Sequence, residues 1–125
     1  MNKPLWIKII ALSGAVSVGL GAFAAHGLGD SLSLKMMATF RTAVLYQFLH
    51  TIALLGLVSL PDQLVDTARR QLVAKSWLLG ILLFSGSLYS LVFTGITALG
   101  MITQLGGLAF IAGWLLLFTA VKRSD

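Results

Sequence analysis

The sequence predicts an all-α integral membrane protein, a four-helix bundle that runs up-down-up-down across the bilayer. Charged residues make up only 10% of the 125-residue chain, whereas soluble domains carry about a quarter. Hydrophobic residues make up 58%, and the mean hydropathy of +0.94 leaves too few polar side chains to cover a water-soluble domain. The apolar residues also lie in long runs, and about 20 such residues of helix can cross the hydrocarbon.

The apolar runs predict four spans within one transmembrane domain that occupies residues 1–125. The second run ends at Pro61, a residue that stops helices. The 46 residues of 76–121 contain no charge and are too many for a single span. Gly95 and Gly100 in the stretch TGITALGM predict a short turn that divides them. The predicted spans are therefore about 5–25, 42–60, 76–94 and 101–121.

The basic residues predict that both termini lie in the cytoplasm, because Lys and Arg accumulate on the cytoplasmic side of short loops. With the N terminus inside, that side has seven of the nine basic residues: Lys3, Lys8, Arg69, Arg70, Lys75, Lys122 and Arg123. The connection at 61–75 is then a cytoplasmic loop. The opposite side has Lys35 and Arg41, and the segment 32–40 is expected to form an interfacial helical turn there that leads into span two. Since the basic residues flank the spans, the net charge of +5 indicates topology in a lipid bilayer rather than nucleic-acid binding.

The first span has an alternative interpretation as a cleaved signal peptide. Lys3 and Lys8, an apolar stretch and the sequence AFA before Ala25 fit that pattern. The span is also rich in small residues, which are more typical of a helix packed against other membrane helices: Ser13, Gly14, Ser17, Gly19 and Gly21. We therefore expect the span to be retained, and a mature protein whose mass begins at Ala25 would contradict this.

Small residues at a spacing of about four predict close helix packing. Helices in lipid associate through such contacts and through hydrogen bonds, because hydrocarbon supplies no hydrophobic drive between them. These residues are Ser13, Ser17, Gly21 and, on a second line, Ala11, Ala15, Gly19 in span one, Gly86 in span three, and Gly106, Gly107, Gly113 in span four. A line that the chain does not use itself would be available to a homo-oligomer or to another membrane protein, and the sequence leaves that alternative open.

Three polar residues interrupt the second span. Tyr46, Gln47 and His50 are spaced i, i+1, i+4 and so share one side of a helix. At about 1.5 Å per residue, His50 lies near the middle of the bilayer. The residues expected at the same depth are Ser85, Ser87 and Tyr89 in span three and Gly14 and Ser17 in span one. Because buried polar groups need partners, we expect one network that joins Gln47 and His50 to the serines or to Tyr89. Whether it only orders the bundle or also serves a proton or a ligand stays open.

The sequence predicts no enzyme, no metal site and no cofactor. The chain has no cysteine, and its acidic residues all lie outside the spans: Asp30, Asp62, Asp66 and Asp125. No serine has both a base and an orienting acid within plausible reach. His26 lies at the outer end of span one and His50 lies near the midplane, so their depths differ by about 15 Å. They therefore cannot ligate one haem within a chain, which leaves two His50 residues across a dimer as the alternative for a haem.

Four stretches of the sequence resemble one family of bacterial membrane proteins. They are SVGLGAFAAHGL (17–28), FRTAVLYQFLHTIALL (40–55), LFSGSLYSL (83–91) and LGGLAFIAGW (105–114). In order and spacing they are similar to the domain of unknown function 423 family, also called uncharacterised protein family 0382. The resemblance implies a small four-span protein of the bacterial cytoplasmic membrane and does not imply an activity. The family motifs fall on His26, Tyr46, Gln47, His50, Ser85, Gly86, Ser87, Tyr89, Gly106, Gly107 and Trp114.

One position departs from the family pattern. Gln104 stands where the family has a proline before the paired glycines of span four, so no proline bend is expected there. The leading functional hypothesis is a non-enzymatic structural or accessory subunit with a mid-membrane polar network. The alternative is a small transporter or channel component that acts as an oligomer, with Gln47, His50, Ser87 and Tyr89 along its path. A binder of a lipid, a quinone or a haem is the third hypothesis.

Overall fold

The computed structural model of the chain describes residues 1–123, and Asp125 lies outside them. The described residues form four helices that are long and apolar enough to cross a membrane. They are α1 (Lys3–His26), α2 (Leu34–Ser59), α3 (Thr67–Thr94) and α4 (Gly100–Ala120). This confirms the predicted all-helical membrane fold. The cytoplasmic position of the two termini stays a prediction.

The first three helices each begin at a side chain that caps them. Asn2, Ser33 and Asp66 each accept a hydrogen bond from the backbone N–H three residues later, at 3.1, 3.1 and 2.9 Å. Such caps satisfy N–H groups that the first helical turn leaves without a partner. The caps therefore fix where α1, α2 and α3 start.

Two of these starts differ from the sequence predictions. α2 begins at Leu34, so most of the segment 32–40 is helical and leads directly into the second span, which starts earlier than the apolar run. α3 begins at Thr67, so the prediction of a loop over 61–75 is wrong for its second half. Hydropathy detects only the apolar part of a helix. The first turns of α2 and α3 are more polar, and their caps extend each helix beyond the apolar run.

The connection between α3 and α4 depends on a glycine. α3 contains a π-helical turn at Ile81–Ser85 and ends before Gly95, which adopts the left-handed conformation with φ of 72°. That conformation favours glycine because it has no Cβ atom. A short 3-10 helix at Thr97–Leu99 then leads into α4 at Gly100. The turn predicted between Gly95 and Gly100 is therefore present.

The interior of the bundle has an apolar cluster towards each end. α1 packs mainly against α2, α3 packs mainly against α4, and α2 also contacts α3. One cluster includes Trp6, Leu54, Trp77 and Phe110, and the other is centred on Phe40. α1 supplies the buried Trp6 to this interior, and the retention of the first helix stays a prediction. The mid-membrane polar residues lie between the two clusters.

Two glycines allow α4 to approach α3 closely. A Cβ atom at Gly106 would overlap the backbone of Phe84, and one at Gly113 would overlap the ring of Trp77. Small residues let helix backbones meet in this way in lipid. Gly86 differs from them, because a Cβ atom there would have no neighbour within 4 Å. The predicted small-residue packing therefore holds α4 on α3 and does not depend on Gly86.

Candidate functional site

A group of neutral polar side chains joins three helices halfway along the bundle. Gln47 lies at the middle of the 26-residue α2 and is only 6% exposed. Its Nε2 donates to the carbonyl and to the hydroxyl of Ser13 on α1, at 3.3 Å each. Its Oε1 accepts from the hydroxyl of Tyr89 on α3 at 2.6 Å. Both ends of the amide are therefore satisfied by other helices.

The remaining hydroxyl of this group closes a ring of hydrogen bonds. Thr51 donates to the backbone carbonyl of Gln47 at 2.6 Å, and the hydroxyls of Ser13 and Thr51 are 2.7 Å apart. Because the proton of Thr51 is used on its own helix, Ser13 is the donor between the two hydroxyls. The ring therefore runs from the Gln47 amide to Ser13, then to Thr51, and back to the Gln47 carbonyl. We name Gln47, Ser13, Thr51 and Tyr89 the Gln47 group.

His50 faces a different neighbour. Its Nε2 accepts from the indole N–H of Trp114 on α4 at 3.1 Å, and its Nδ1 lies 2.9 Å from the carbonyl of Tyr46. An indole N–H can only donate. Nε2 is therefore the acceptor, and Nδ1 carries the proton that bonds to Tyr46. The ring of Phe110 stacks on the imidazole with centroids 3.7 Å apart. The arrangement suits a neutral histidine.

The predicted bond between Gln47 and Tyr89 is present, but the prediction that His50 and the serines of α3 belong to the same network is wrong. Gln47 and His50 are separated by three positions, which turns their side chains about 60° apart around α2. Gln47 consequently meets α1 and α3, whereas His50 meets α4. Tyr46 contributes its carbonyl to His50 and packs its ring against Phe84, with centroids 4.8 Å apart.

The two serines of α3 also form separate contacts. Ser85 is fully buried and donates to the carbonyl of Ala43 on α2 at 2.7 Å. Ser87 donates to the carbonyl of Phe84 at 3.0 Å and shares a 2.5 Å contact with the hydroxyl of Thr103 on α4. Each serine therefore fixes one helix pair, and neither bonds to the Gln47 group.

Other predicted residues lie beside these groups or far from them. Ser17 donates to the carbonyl of Ser13 at 2.8 Å, and a Cβ atom at Gly14 would lie 3.8 Å from Thr51. His26 lies in the last turn of α1, outside the polar layer. Thr51 and Thr103 were not among the predicted site residues. A usable signal for Thr51 was its position four residues after Gln47, on the same face of α2.

Clefts lie along the sides of the bundle, and one of about 240 Å³ lies next to the Gln47 group, lined by Ile9, Leu12, Ser13, Val16, Gln47, Leu78, Ile81 and Leu82. Another, of about 350 Å³, is next to the imidazole and is lined by Tyr46, His50, Phe84, Gly107, Phe110, Ile111 and Trp114. A third, of about 240 Å³, lies between α1 and α2 and is lined by Gly21, Ala24, Arg41, Val44, Leu45 and Phe48. Across residues 1–123, no three His, Cys, Asp or Glu side chains come together in a way that could hold a metal ion. The layer therefore offers neutral hydrogen bonds and aromatic contacts.

Comparisons with known proteins point to one family. The family model described as protein of unknown function (DUF423) matches residues 20–107. The chain is 44% identical to a UPF0382 membrane protein of Haemophilus influenzae over 113 residues, 90% of each chain. It is 40% identical to the UPF0382 membrane protein YwdK of Bacillus subtilis, over 95% of this chain and 97% of the relative. It is 37% identical to the UPF0382 inner membrane protein YgdD of Escherichia coli, over 98% and 93%. No solved structure matches.

Proposed function

The chain belongs to the DUF423 family, and we propose that it is a non-enzymatic structural or accessory subunit of the bacterial cytoplasmic membrane. Its four apolar helices make it a multi-pass membrane protein, and its relatives are bacterial membrane proteins, one of them an inner membrane protein. On this proposal the mid-membrane polar layer holds the helices in register. It does not carry out chemistry or conduct a solute.

The observation that carries this proposal is the closed set of hydrogen bonds in the Gln47 group. The amide of Gln47 and the hydroxyls of Ser13, Thr51 and Tyr89 all bond to one another or to the backbone. A transport path or a reaction site needs donors or acceptors that are free to meet a solute. Here the donors bond to other helices or, for the Thr51 hydroxyl, to the backbone of α2, and bonds between helices stabilise membrane bundles.

The accessory part of the proposal is supported by the exposed side of α1. Ser13, Ser17 and Gly21 face α2, whereas Ala11, Ala15 and Gly19 are exposed. A Cβ atom at Gly19 would have no neighbour within 4 Å. A second copy of this chain, or a helix of another membrane protein, is the partner that this surface would accept at close range.

Liposomes that contain the purified chain test the proposal against transport. We expect the wild type to dissipate an imposed pH gradient no faster than empty liposomes, as followed by an enclosed pH-sensitive dye. We expect Gln47→Leu to leave that rate unchanged and to lower the resistance to thermal unfolding, because it removes three interhelical contacts. Leu49→Met, at a half-exposed position on α2, serves as the matched control and is expected to change neither quantity.

The transporter alternative makes the opposite prediction. A wild-type rate well above that of empty liposomes, lost in a Gln47→Leu protein that keeps its helical content, would overturn the structural role. The same liposomes can be loaded with a small neutral solute in place of the dye. A chain that only supports a bundle leaves both rates at the level of the lipid alone.

A further inference from the structure

The cleft between α1 and α2 has one cation beside an otherwise apolar lining. Its other lining residues are Gly21, Ala24, Val44, Leu45 and Phe48. Arg41 is exposed and takes part in neither of the two ion pairs of residues 1–123, which join Lys3 and Arg70 to Asp62. A guanidinium keeps its charge in almost every protein environment. It therefore needs an anion or water at this depth.

The position of Arg41 along α2 places its charge near the membrane surface. α2 has 26 residues and is about 39 Å long. Arg41 lies about 8 Å from its midpoint. With that midpoint at the bilayer centre, the Cα atom of Arg41 lies about 7 Å inside a hydrocarbon layer of about 30 Å. Helical side chains lean towards the N-terminal end, here the nearer surface. A long arginine can therefore extend its head group to the lipid phosphates.

The cleft continues from that charge into the hydrocarbon. Val44 and Phe48 follow Arg41 by about one and two turns and lie deeper in the bilayer. Gly21 lies across from them on α1, where a Cβ atom would be 3.5 Å from Val44. The absence of a side chain at Gly21 deepens the cleft. A helix, about 10 Å across, does not fit into about 240 Å³, whereas one extended hydrocarbon chain can lie there.

We propose that Arg41 and this cleft bind one anionic glycerophospholipid. The phosphate pairs with the guanidinium, and one acyl chain lies along Gly21, Val44 and Phe48. The charge and the cleft point to the same ligand. An inorganic phosphate would leave the apolar cleft unused, and a neutral hydrocarbon would leave Arg41 without a partner. Basic residues at the surface of a membrane helix attract anionic lipids by this electrostatic term.

Native mass spectrometry of the full chain in detergent tests whether the charge of Arg41 selects an anionic lipid. The probes are a phosphatidylglycerol and a phosphatidylcholine with the same acyl chains. We expect one bound phosphatidylglycerol per chain, held about fivefold more tightly than phosphatidylcholine. Arg41→Gln should remove that preference. Lys35→Gln, which makes the same charge change six residues earlier on α2, should retain it. Equal affinities in the wild type, or equal losses in the two variants, would overturn the proposal.

A second pair of variants tests whether an acyl chain lies in the cleft. Gly21→Leu fills it, whereas Gly19→Leu adds the same side chain to an open position of the same helix. We expect the first variant to lose the retained lipid and the second to keep it. If Gly21→Leu does not fold, Leu45→Trp fills the cleft from a position that is already 53% exposed. A filled cleft with unchanged lipid affinity would show that no acyl chain lies there and would contradict the site.

Discussion

The polar groups halfway along the bundle are neutral, whereas those at the end where the two termini meet carry charge. In the middle, the Gln47 group joins α1, α2 and α3 through an amide and three hydroxyls. At the end, Asp62 pairs with Arg70 at 2.8 Å and with Lys3 at 3.5 Å. Lys122 donates to the Asp62 carbonyl at 2.9 Å. We name these four residues the Asp62 cluster.

The difference follows from the cost of charge at each depth. An ionised side chain near the bilayer centre is expensive, whereas one near the surface can reach water and lipid head groups. Neutral donors and acceptors therefore fix helix register in the middle. Charged groups close the bundle at the end, where Asp66 N also donates to the Ala120 carbonyl and Lys122 N to the Leu64 carbonyl, both at 2.8 Å. The comparison predicts that the two regions respond to different perturbations.

The largest expected loss of stability comes from a substitution in the Asp62 cluster. Arg70 is fully buried, and its guanidinium donates to Asp62 and to the Leu60 carbonyl at 2.8 Å each. Arg70→Ala leaves a cavity and removes both bonds, so it should lower the free energy of unfolding by about 3 kcal/mol. Lys75→Ala, at an exposed position of α3, is the matched control. Denaturant unfolding in detergent measures both variants.

A third variant separates packing from charge at this site. Nε of Arg70 is buried without a partner, and well-packed apolar residues often replace buried ions at little cost. Arg70→Met should therefore lose much less stability than Arg70→Ala. Equal losses in Arg70→Met and Arg70→Ala would mean that the charge matters more than the volume. If Lys75→Ala lowers the free energy of unfolding as much as Arg70→Ala does, the buried contacts of Arg70 are not the cause of the loss.

The next largest loss of stability is expected from substitutions at the middle of the bundle. Gln47→Leu and Tyr89→Phe each remove the 2.6 Å bond between the amide and the phenol. Tyr89→Phe should cost about 1 kcal/mol and Gln47→Leu more, because it also removes the two bonds to Ser13, and the double variant should cost less than the sum. Tyr46→Phe, one position before Gln47 but outside the Gln47 group, is the control. Unfolding of the four proteins in one detergent gives the coupling energy. Strictly additive losses would contradict a direct bond.

The fold was predictable from the sequence to a greater extent than the contacts were. Four apolar runs and a glycine-flanked turn are local signals, and they determine four helices. The helix that a side chain meets depends on how each helix is rotated about its axis. Gln47 and His50 share one side of α2, and only packing shows that one meets α1 and the other α4. The π-helical turn at Ile81–Ser85 also changes the periodicity along α3, and no sequence pattern indicated it.

The Asp62 cluster shows a second limit of the sequence. From the sequence, Arg70 was predicted only as a cytoplasmic charge in the loop at 61–75. The structure places it one turn into α3 and fully buried. Its burial depends on the cap at Asp66, which starts the helix before the apolar run begins. Burial of a charged side chain therefore followed from a helix boundary that hydropathy does not mark.

The smallest expected effect is the pH dependence of the Asp62 cluster. The hydrogen bond from Arg70 and then the charge of Lys3 hold the pKa of the Asp62 carboxyl below its ordinary value of 3.8. A carboxyl whose pKa is lower in the folded state contributes stability above its unfolded pKa, and that contribution is lost as the pH falls through the folded pKa. Because Asp62 is exposed, solvent screens the effect. Thermal unfolding should show a small loss of stability below about pH 4.

Asp62→Asn should remove that component of the loss, whereas Gln47→Leu should leave it unchanged, since the Gln47 group holds no ionised residue. A wild-type loss that Asp62→Asn does not reduce would place the titrating group elsewhere and would weaken the contrast between a charged end and a neutral middle.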